Sequence, residues 1–110
     1  MTIKPKKVIF ADKKQEAAYL ELDKDDQLRK AIDKSIKNIK SNAFYGEPIS
    51  KRLIPKDYIR KYKINNLWWI GLTKEARLVY SITTPNKVEI LAIIIDVFDN
   101  HKDYERKFRY

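Results

Sequence analysis

The stretch LWWIGLTKEARLVYSITTPNKVEILAIIIDVF, residues 67–98, decides the fold. It contains three runs of apolar and β-favouring side chains, and two short turn signals separate them. The runs cover residues 67–72, 77–84 and 87–98, and the turn signals are residues 73–75 and Pro85-Asn86. The third run is almost continuously apolar, which is typical of a strand that is covered on at least part of both faces. Together the three runs predict an antiparallel meander.

The N-terminal part of the chain predicts one strand followed by two helices. Residues 7–13 alternate in the manner of a short strand. A helical pattern begins at Asp12, which can cap it, and continues to about Leu22. A second helix is predicted over 26–41 by one apolar stripe. The stripe consists of Leu28, Ile32, Ile36 and Ile39. We expect these helices to form a hairpin on one face of the sheet and to leave the opposite face free to bind a partner.

The remaining segments carry weaker patterns. Residues 42–66 contain prolines and turn-forming side chains, which predict an irregular connection with one short strand near 49–54. The tail, residues 99–110, is polar, basic and aromatic. We therefore expect a single α+β domain over residues 1–110. Its N-terminal strand and two-helix hairpin should pack on a curved antiparallel sheet of about four strands.

The composition indicates a polyanionic partner and argues against a metal or disulfide site. The 110 residues include 24 Lys and Arg against 15 Asp and Glu, a formal net charge of +9. Such an excess predicts attraction to nucleic acid, a membrane surface or an acidic protein, although a Lys-rich composition also occurs without such a partner. The chain has no cysteine and one histidine, which excludes thiolate ligands and disfavours a His-based zinc site. We expect no metal and no cofactor.

The sequence predicts neither an N-terminal signal peptide nor a membrane span. The apolar stretch of residues 8–11 is too short for a signal peptide and is followed at once by Asp12. The longest apolar run, residues 90–95, is far below the roughly 20 residues that a membrane span needs. We expect a cytoplasmic protein with no membrane partner.

The order β-α-α-β-β-β resembles the RelE/ParE superfamily of toxins from type II toxin–antitoxin modules. Two segments carry the resemblance, and they predict a RelE-like fold. Residues 67–82 contain an Arg-Leu-Val-Tyr core that follows Leu-Trp-Trp. Residues 88–108 contain an apolar strand and then a tail similar to that of the subgroup ending in His-Lys-x-Tyr. A weaker similarity covers residues 8–56, so that the resemblance extends over essentially the whole chain.

This resemblance implies a toxin that cleaves mRNA in the ribosomal A site. The 2′-hydroxyl of the RNA attacks the adjacent phosphate, and no metal is required. The implied partners are a cognate antitoxin, the ribosome and mRNA, with a heterotetramer with the antitoxin as a possible assembly. Other members of the superfamily inhibit DNA gyrase, and others have lost activity. The alternative function is therefore a ParE-like gyrase inhibitor, or a degenerate toxin that only binds antitoxin or nucleic acid.

The resemblance implies three catalytic residues. Arg77 matches the catalytic arginine of the family, and a guanidinium can fork onto two phosphate oxygens. His101 is the natural general acid or base. Tyr104 can hydrogen-bond the phosphate or stack on a base. Each has a structural alternative, namely a solvated strand-edge arginine, an exposed histidine, and a tyrosine that packs the tail on the sheet. If the second and third predicted strands pair antiparallel about the turn at Pro85-Asn86, Arg77 lies opposite roughly residue 94, plus or minus a few.

Further cations and one tyrosine complete the predicted RNA-binding surface. Lys51 and Arg52 follow a Gly-Glu-Pro turn and can hold phosphates, or they belong to a solvated loop. Additional members are predicted on the turn and in the tail, namely Lys74, Arg106, Lys107 and Tyr110. Some active relatives carry catalytic lysines near the positions that Trp69 and Gly71 occupy here, so the general base is unassigned. Trp69 can stack on a base or fill a half-buried core position.

Overall fold

The three apolar runs pair into the centre of one five-stranded sheet. The computed structural model describes residues 2–85 and 89–108, and it shows an α+β fold with four helices. The strands are β1 (Lys7–Phe10), β2 (Glu47–Pro48), β3 (Trp68–Gly71), β4 (Arg77–Thr83) and β5 (Leu91–Phe98). The helices are α1 (Lys13–Glu21), α2 (Gln27–Ser41), α3 (Lys56–Tyr62) and α4 (His101–Phe108), and a 3₁₀ turn spans Lys51–Leu53.

The sheet is open and mixed, with the order β1-β5-β4-β3-β2. Strands β2 to β5 pair antiparallel as predicted, whereas β1 runs parallel to β5. The sheet therefore has five strands rather than about four, and it is mixed because one of its four pairings is parallel. The α1–α2 hairpin carries the chain to the far edge of the sheet. Three antiparallel reversals then bring β5 back beside β1 in the same direction.

The register of β4 and β5 places Arg77 opposite Phe98, further along β5 than predicted. The described pairing of these two strands ends at Thr83 and resumes at Leu91, and Asn86 of the predicted turn lies outside the described residues. In addition, Val79 pairs with Asp96 while Tyr80 pairs with Ile94, so β5 contains one extra residue. Such a β-bulge bends a strand and re-aims the side chains that follow it.

The two N-terminal helices form as predicted and pack on one face of the sheet. Asp12 and Asp26 cap α1 and α2 by accepting hydrogen bonds from the backbone N–H groups of Lys14 and Leu28. Ile32 and Ile39 of the predicted stripe are buried in a cluster against β4 and β5. Those strands contribute Leu78, Tyr80, Ala92 and Ile94 to this cluster.

The opposite face of the sheet is also covered, which corrects the expectation that it is left free. Helices α3 and α4 and the residues before β3 form a second buried cluster there. Tyr58 from α3 and Tyr104 and Phe108 from α4 pack on Val79 and on β5. The strand expected near residues 49–54 is likewise replaced by the shorter β2 and the 3₁₀ turn. None of the helices in the described residues is long and apolar enough to cross a membrane.

Tyr80 fixes the loop that leads from α2 into β2. Its side chain is fully buried, and its hydroxyl donates to the Ala43 carbonyl at 2.7 Å and accepts from the Gly46 N–H at 2.9 Å. Burial raises the pKa of Tyr80 to about 12. A β-carbon at Gly46 would lie 2.8 Å from the Trp69 carbonyl oxygen and 2.9 Å from the Tyr80 ring. Glycine is therefore required for the loop to approach the sheet this closely.

Replacing Tyr80 by phenylalanine tests this anchor. Tyr80→Phe should lower the free energy of unfolding by about 1–3 kcal/mol, because the carbonyl of the buried Ala43 and the N–H of the half-buried Gly46 lose their partner. Urea denaturation measures the change. Tyr45→Phe is the matched control, since Tyr45 is exposed. A loss in Tyr80→Phe no larger than that of the control would contradict the role of the hydroxyl.

Candidate anion-binding site

Arg77 lies between two aromatic rings at the start of β4. Its guanidinium carbon is 4.3 Å from the centre of the Trp69 ring and 4.6 Å from the centre of the Tyr104 ring. Gly71 is the register partner of Arg77 on β3, and Trp69 stands two residues before it on the same face. Because Gly71 has no side chain, the arginine can reach diagonally across it to Trp69. Tyr104 closes the arrangement from α4.

The guanidinium of Arg77 has no protein partner for its hydrogen-bond donors in the part of the chain that the structure describes. None of the ion pairs or side-chain hydrogen bonds among residues 2–85 and 89–108 involves it. Both rings lie within cation–π distance of the guanidinium. These aromatic contacts hold the guanidinium without engaging its N–H donors, which leaves the fork for a phosphate or carboxylate.

His101 and Arg77 approach the same tyrosine. The His101 ring is stacked parallel to the Tyr104 ring, with their centres 6.4 Å apart. The guanidinium and the imidazole therefore cannot lie further apart than the sum of their distances to that ring, about 11 Å. The structure thus brings the three predicted catalytic residues together. His101 is about half exposed, and its Nε2 lies 2.7 Å from a carboxylate oxygen of Glu105, one turn later in α4.

Tyr104 supports the arginine from inside the core. Its side chain is fully buried, and its ring packs on Phe98 and Phe108 at centre distances of 5.6 and 4.7 Å. This placement corresponds to the structural alternative for Tyr104, in which it packs the tail on the sheet. A contact of Tyr104 with phosphate or a base stays a prediction. Trp69 is half-buried, and its ring stacks on Arg77.

A groove of about 880 Å³ runs between α4 and the segment that contains the 3₁₀ turn and α3. Three of the predicted RNA-binding residues line it, namely Arg52, Arg106 and Lys107. Lys107 pairs with Asp57 and lies 4.6 Å above the Tyr58 ring. Arg106 is exposed, and its nearest carboxylate, that of Asp103, is 3.9 Å away. Its charge is therefore only weakly compensated.

The other predicted RNA-binding residues lie elsewhere. Lys51 is exposed in the 3₁₀ turn and does not line the groove. Lys74 is exposed in the turn between β3 and β4, outside the groove. Tyr110 lies outside the described residues, so its predicted role stays a prediction.

Two further cations, which the sequence analysis did not single out, line the groove. Lys56 and Arg60 are both exposed on α3, one helical turn apart. They were missed because residues 42–66 were predicted to be irregular. The available signal was the segment KDYIRKY, in which these two residues share one side of a helix and Tyr58 and Tyr62 share another.

A half-buried carboxylate joins the elements behind the groove. Asp96 follows the bulge of β5 and accepts a hydrogen bond from the Tyr58 hydroxyl at 2.7 Å and one from Gln15 Nε2 at 2.8 Å. Burial raises the pKa of Asp96 above its ordinary value. Burial and the Asp96 charge together raise the pKa of Tyr58. Asp96 thereby connects β5 with α1 and α3.

Comparison of the chain with protein-family models, with curated proteins and with solved structures finds no match. The resemblance to RelE/ParE toxins therefore stays a prediction. Within residues 2–85 and 89–108, no group of three or more His, Cys, Asp or Glu side chains is placed to hold a metal ion.

A double-mutant cycle tests the stacking of Arg77. Arg77→Met combined with Trp69→Leu should give a coupling of about 0.5–1 kcal/mol in unfolding free energy, because each single change removes the same interaction. Trp68→Leu provides the control, since the Trp68 ring packs against Tyr80 and Phe44 on the other side of the sheet. Its coupling with Arg77→Met should be near zero. Equal couplings for the two tryptophans would contradict the stacked geometry.

The raised pKa of Asp96 predicts the sign of a pH effect. The folded state holds the proton more tightly than the unfolded state, whose carboxyl has the ordinary pKa of 3.8. Stability contributed by this group is therefore present at lower pH and is lost as the pH rises from 3.8 through the folded-state pKa. Relative to wild type, Asp96→Asn should gain stability with rising pH and then level off, as measured by urea unfolding between about pH 3 and pH 7.

Asp12→Asn provides a control of opposite sign. A hydrogen bond from the Lys14 N–H and the nearby Lys61 lower the pKa of Asp12. Its carboxylate therefore stabilises the fold increasingly as the pH rises toward 3.8. Relative to wild type, Asp12→Asn should lose stability with rising pH. A stability difference for Asp96→Asn that stays constant or falls with pH would show that the carboxyl is not desolvated.

Proposed function

We propose that the protein is the toxin of a type II toxin–antitoxin module, an mRNA endonuclease of the RelE/ParE type that acts on the ribosome in the cytoplasm. Arg77 is the residue that binds the scissile phosphate. The observation that carries the proposal is its stacked guanidinium, whose hydrogen-bond donors have no partner among the described residues. The implied partners are the cognate antitoxin, the ribosome and mRNA.

The proposed reaction needs charge stabilisation and two proton transfers. The 2′-oxygen of the RNA bonds to the adjacent phosphorus, the bond from phosphorus to the 5′-oxygen breaks, and a cyclic phosphate remains. Negative charge accumulates on the phosphorane oxygens, and a forked guanidinium held in position stabilises it. One group must accept the 2′-OH proton and another must protonate the 5′-oxygen.

His101 is the proposed proton-transfer group. Its ring stacks on Tyr104, the same ring that the Arg77 guanidinium contacts. The carboxylate of Glu105 at Nε2 orients the ring, which leaves Nδ1 for the substrate. His101 would supply a titratable ring at the phosphate site, and Arg77 would supply a fixed cation. This arrangement is suited to protonating the leaving oxygen.

The alternative is a protein of the same family that binds without cleaving, either a gyrase inhibitor or a degenerate toxin. Two observations favour it. Tyr104 is fully buried, and the Nε2 of His101 is already engaged by Glu105. Tyr104 is therefore not placed to transfer a proton, and His101 offers only Nδ1, whereas cleavage needs two proton transfers. A protein with one proton-transfer group retains the anion site and lacks either the acid or the base.

Expression of Arg77 variants distinguishes these functions. The wild-type chain expressed alone should arrest growth, and primer extension should find cleavage inside translated codons. Arg77→Ala should abolish both while the circular dichroism spectrum stays native, because loss of one charge-stabilising group lowers the cleavage rate about 100-fold or more. Arg77→Lys should recover little activity, since an ammonium can neither stack in plane nor fork.

Lys30→Ala is the control, because Lys30 is an exposed cation on α2, on the other face of the sheet. It should be as toxic as wild type. DNA damage without mRNA cleavage would favour gyrase as the target. Unchanged toxicity of Arg77→Ala would remove Arg77 from the mechanism.

A further inference from the structure

We infer that the groove between α3 and α4 binds single-stranded RNA and guides it to Arg77, with Lys56 and Arg60 as phosphate ligands. This inference rests on the proposed function and specifies how the substrate reaches the site. It assigns a binding role to α3, an element that the sequence analysis did not predict.

The first argument is the charge of the groove. Arg52, Lys56 and Arg60 follow one another at intervals of four residues and form one wall with exposed cations. Within the described residues none of the three takes part in an ion pair. Two aspartates also line the groove, and each already has a cation nearby. Asp57 pairs with Lys107, and Asp103 lies 3.9 Å from Arg106. The groove therefore presents a net positive charge that the protein itself does not compensate.

The second argument is the apolar floor between the basic walls. Leu53 is 37% exposed and contributes to this floor together with Ile54 and Pro55. The edges of Phe98 and Phe108 complete it. A single strand has both a charged backbone and unstacked bases. Its phosphates can bind the cations of the walls while its bases pack on the apolar floor. A duplex keeps its bases stacked inside and would leave the floor uncovered.

The third argument is the continuity of the groove with the phosphate site. Phe98 lines the groove, and its register partner on β4 is Arg77. Residues directly opposite one another in a sheet present their side chains on the same face. The Phe98 ring also contacts the edge of the Tyr104 ring, whose face carries the guanidinium. A strand that leaves the groove over Phe98 therefore arrives at Arg77.

An acidic amphipathic peptide is the competing occupant, since it too would match a basic groove with an apolar floor. RNA is favoured because its backbone carries a negative charge at every nucleotide and can meet the wall cations and then the Arg77 guanidinium in succession. RNA also accounts for the groove and for Arg77 with a single ligand. The peptide is an outcome of the test below.

The experiment measures binding of a fluorescein-labelled single-stranded RNA by fluorescence anisotropy over a series of salt concentrations. Lys56→Glu/Arg60→Glu should weaken binding at least about tenfold at low salt. The neutral variant Lys56→Gln/Arg60→Gln should make the plot of log affinity against log salt shallower by about 0.7 for each phosphate that no longer meets a cation. Thermal melting checks that both variants remain folded.

Lys30→Glu/Lys34→Glu is the matched control. These two cations are exposed one turn apart on α2, and the charge change is the same. The control should keep most of the wild-type affinity, because α2 lies on the other face of the sheet. An equal decrease in the control would show that RNA responds to net charge alone and would overturn the inference. The peptide would be favoured, and the inference overturned, by a second outcome. In that outcome the α3 variants bind RNA as tightly as wild type does, but they no longer bind a labelled Glu- and Leu-rich peptide that wild type binds.

Arg77→Ala separates this inference from the proposed function, since binding is measured without the ribosome and without cleavage. If the α3 variants lose RNA affinity while Arg77→Ala remains toxic in cells, the proposed mechanism fails and the groove stands as an RNA site. If Arg77→Ala abolishes cleavage while the α3 variants bind RNA normally, the groove fails and the mechanism stands. Arg77→Ala should also weaken RNA binding. An unchanged affinity would contradict the continuity of the groove with Arg77.

Discussion

The packing of Tyr104 on the end of the sheet is the interaction on which the candidate site depends. An isolated helix of eight residues is not stable in water, so α4 forms because its apolar side docks on the protein. Tyr104 and Phe108 supply that side, and burying each aromatic ring contributes about 1.5–3 kcal/mol. Because α4 docks here, the Tyr104 ring contacts both Arg77 and His101. The docked helix also forms one wall of the groove. The candidate anion site and the groove therefore both depend on this docking.

The sequence predicted the elements whose side chains repeat in a regular pattern. Alternation in β4 and the apolar stripe of α2 each fix one face over several residues, so their positions followed directly. Helix α4 carries two apolar anchors among mostly charged residues, and α3 is only seven residues long, so neither gave a strong periodic signal. The parallel pairing of β1 with β5 depends on the path of the whole chain. No local pattern encodes it.

The candidate residues were predictable, but their geometry was not. Arg77, His101 and Tyr104 were selected for their chemistry and for a family resemblance, and Arg77 and His101 both lie near the Tyr104 ring. The stack with Trp69, however, depends on the register that sets Gly71 opposite Arg77. The bulge in β5 similarly decides that Asp96 faces α3, where its carboxylate binds Tyr58. A register and a bulge are properties of paired strands, and single-strand patterns do not determine them.

The arrangement of charge matters more for function than the net charge of +9. Several cations are engaged in structural ion pairs, such as Lys61 with Asp12 and Lys107 with Asp57, which tie helices together. Arg77 is different, because aromatic rings rather than carboxylates hold it. A carboxylate would have neutralised the guanidinium and occupied its fork, whereas two rings hold it and leave its charge and its donors without a partner among the described residues. Because a guanidinium presents its N–H donors as a planar fork, the anion that would fit it best is one that offers two oxygens at once, as a phosphodiester does.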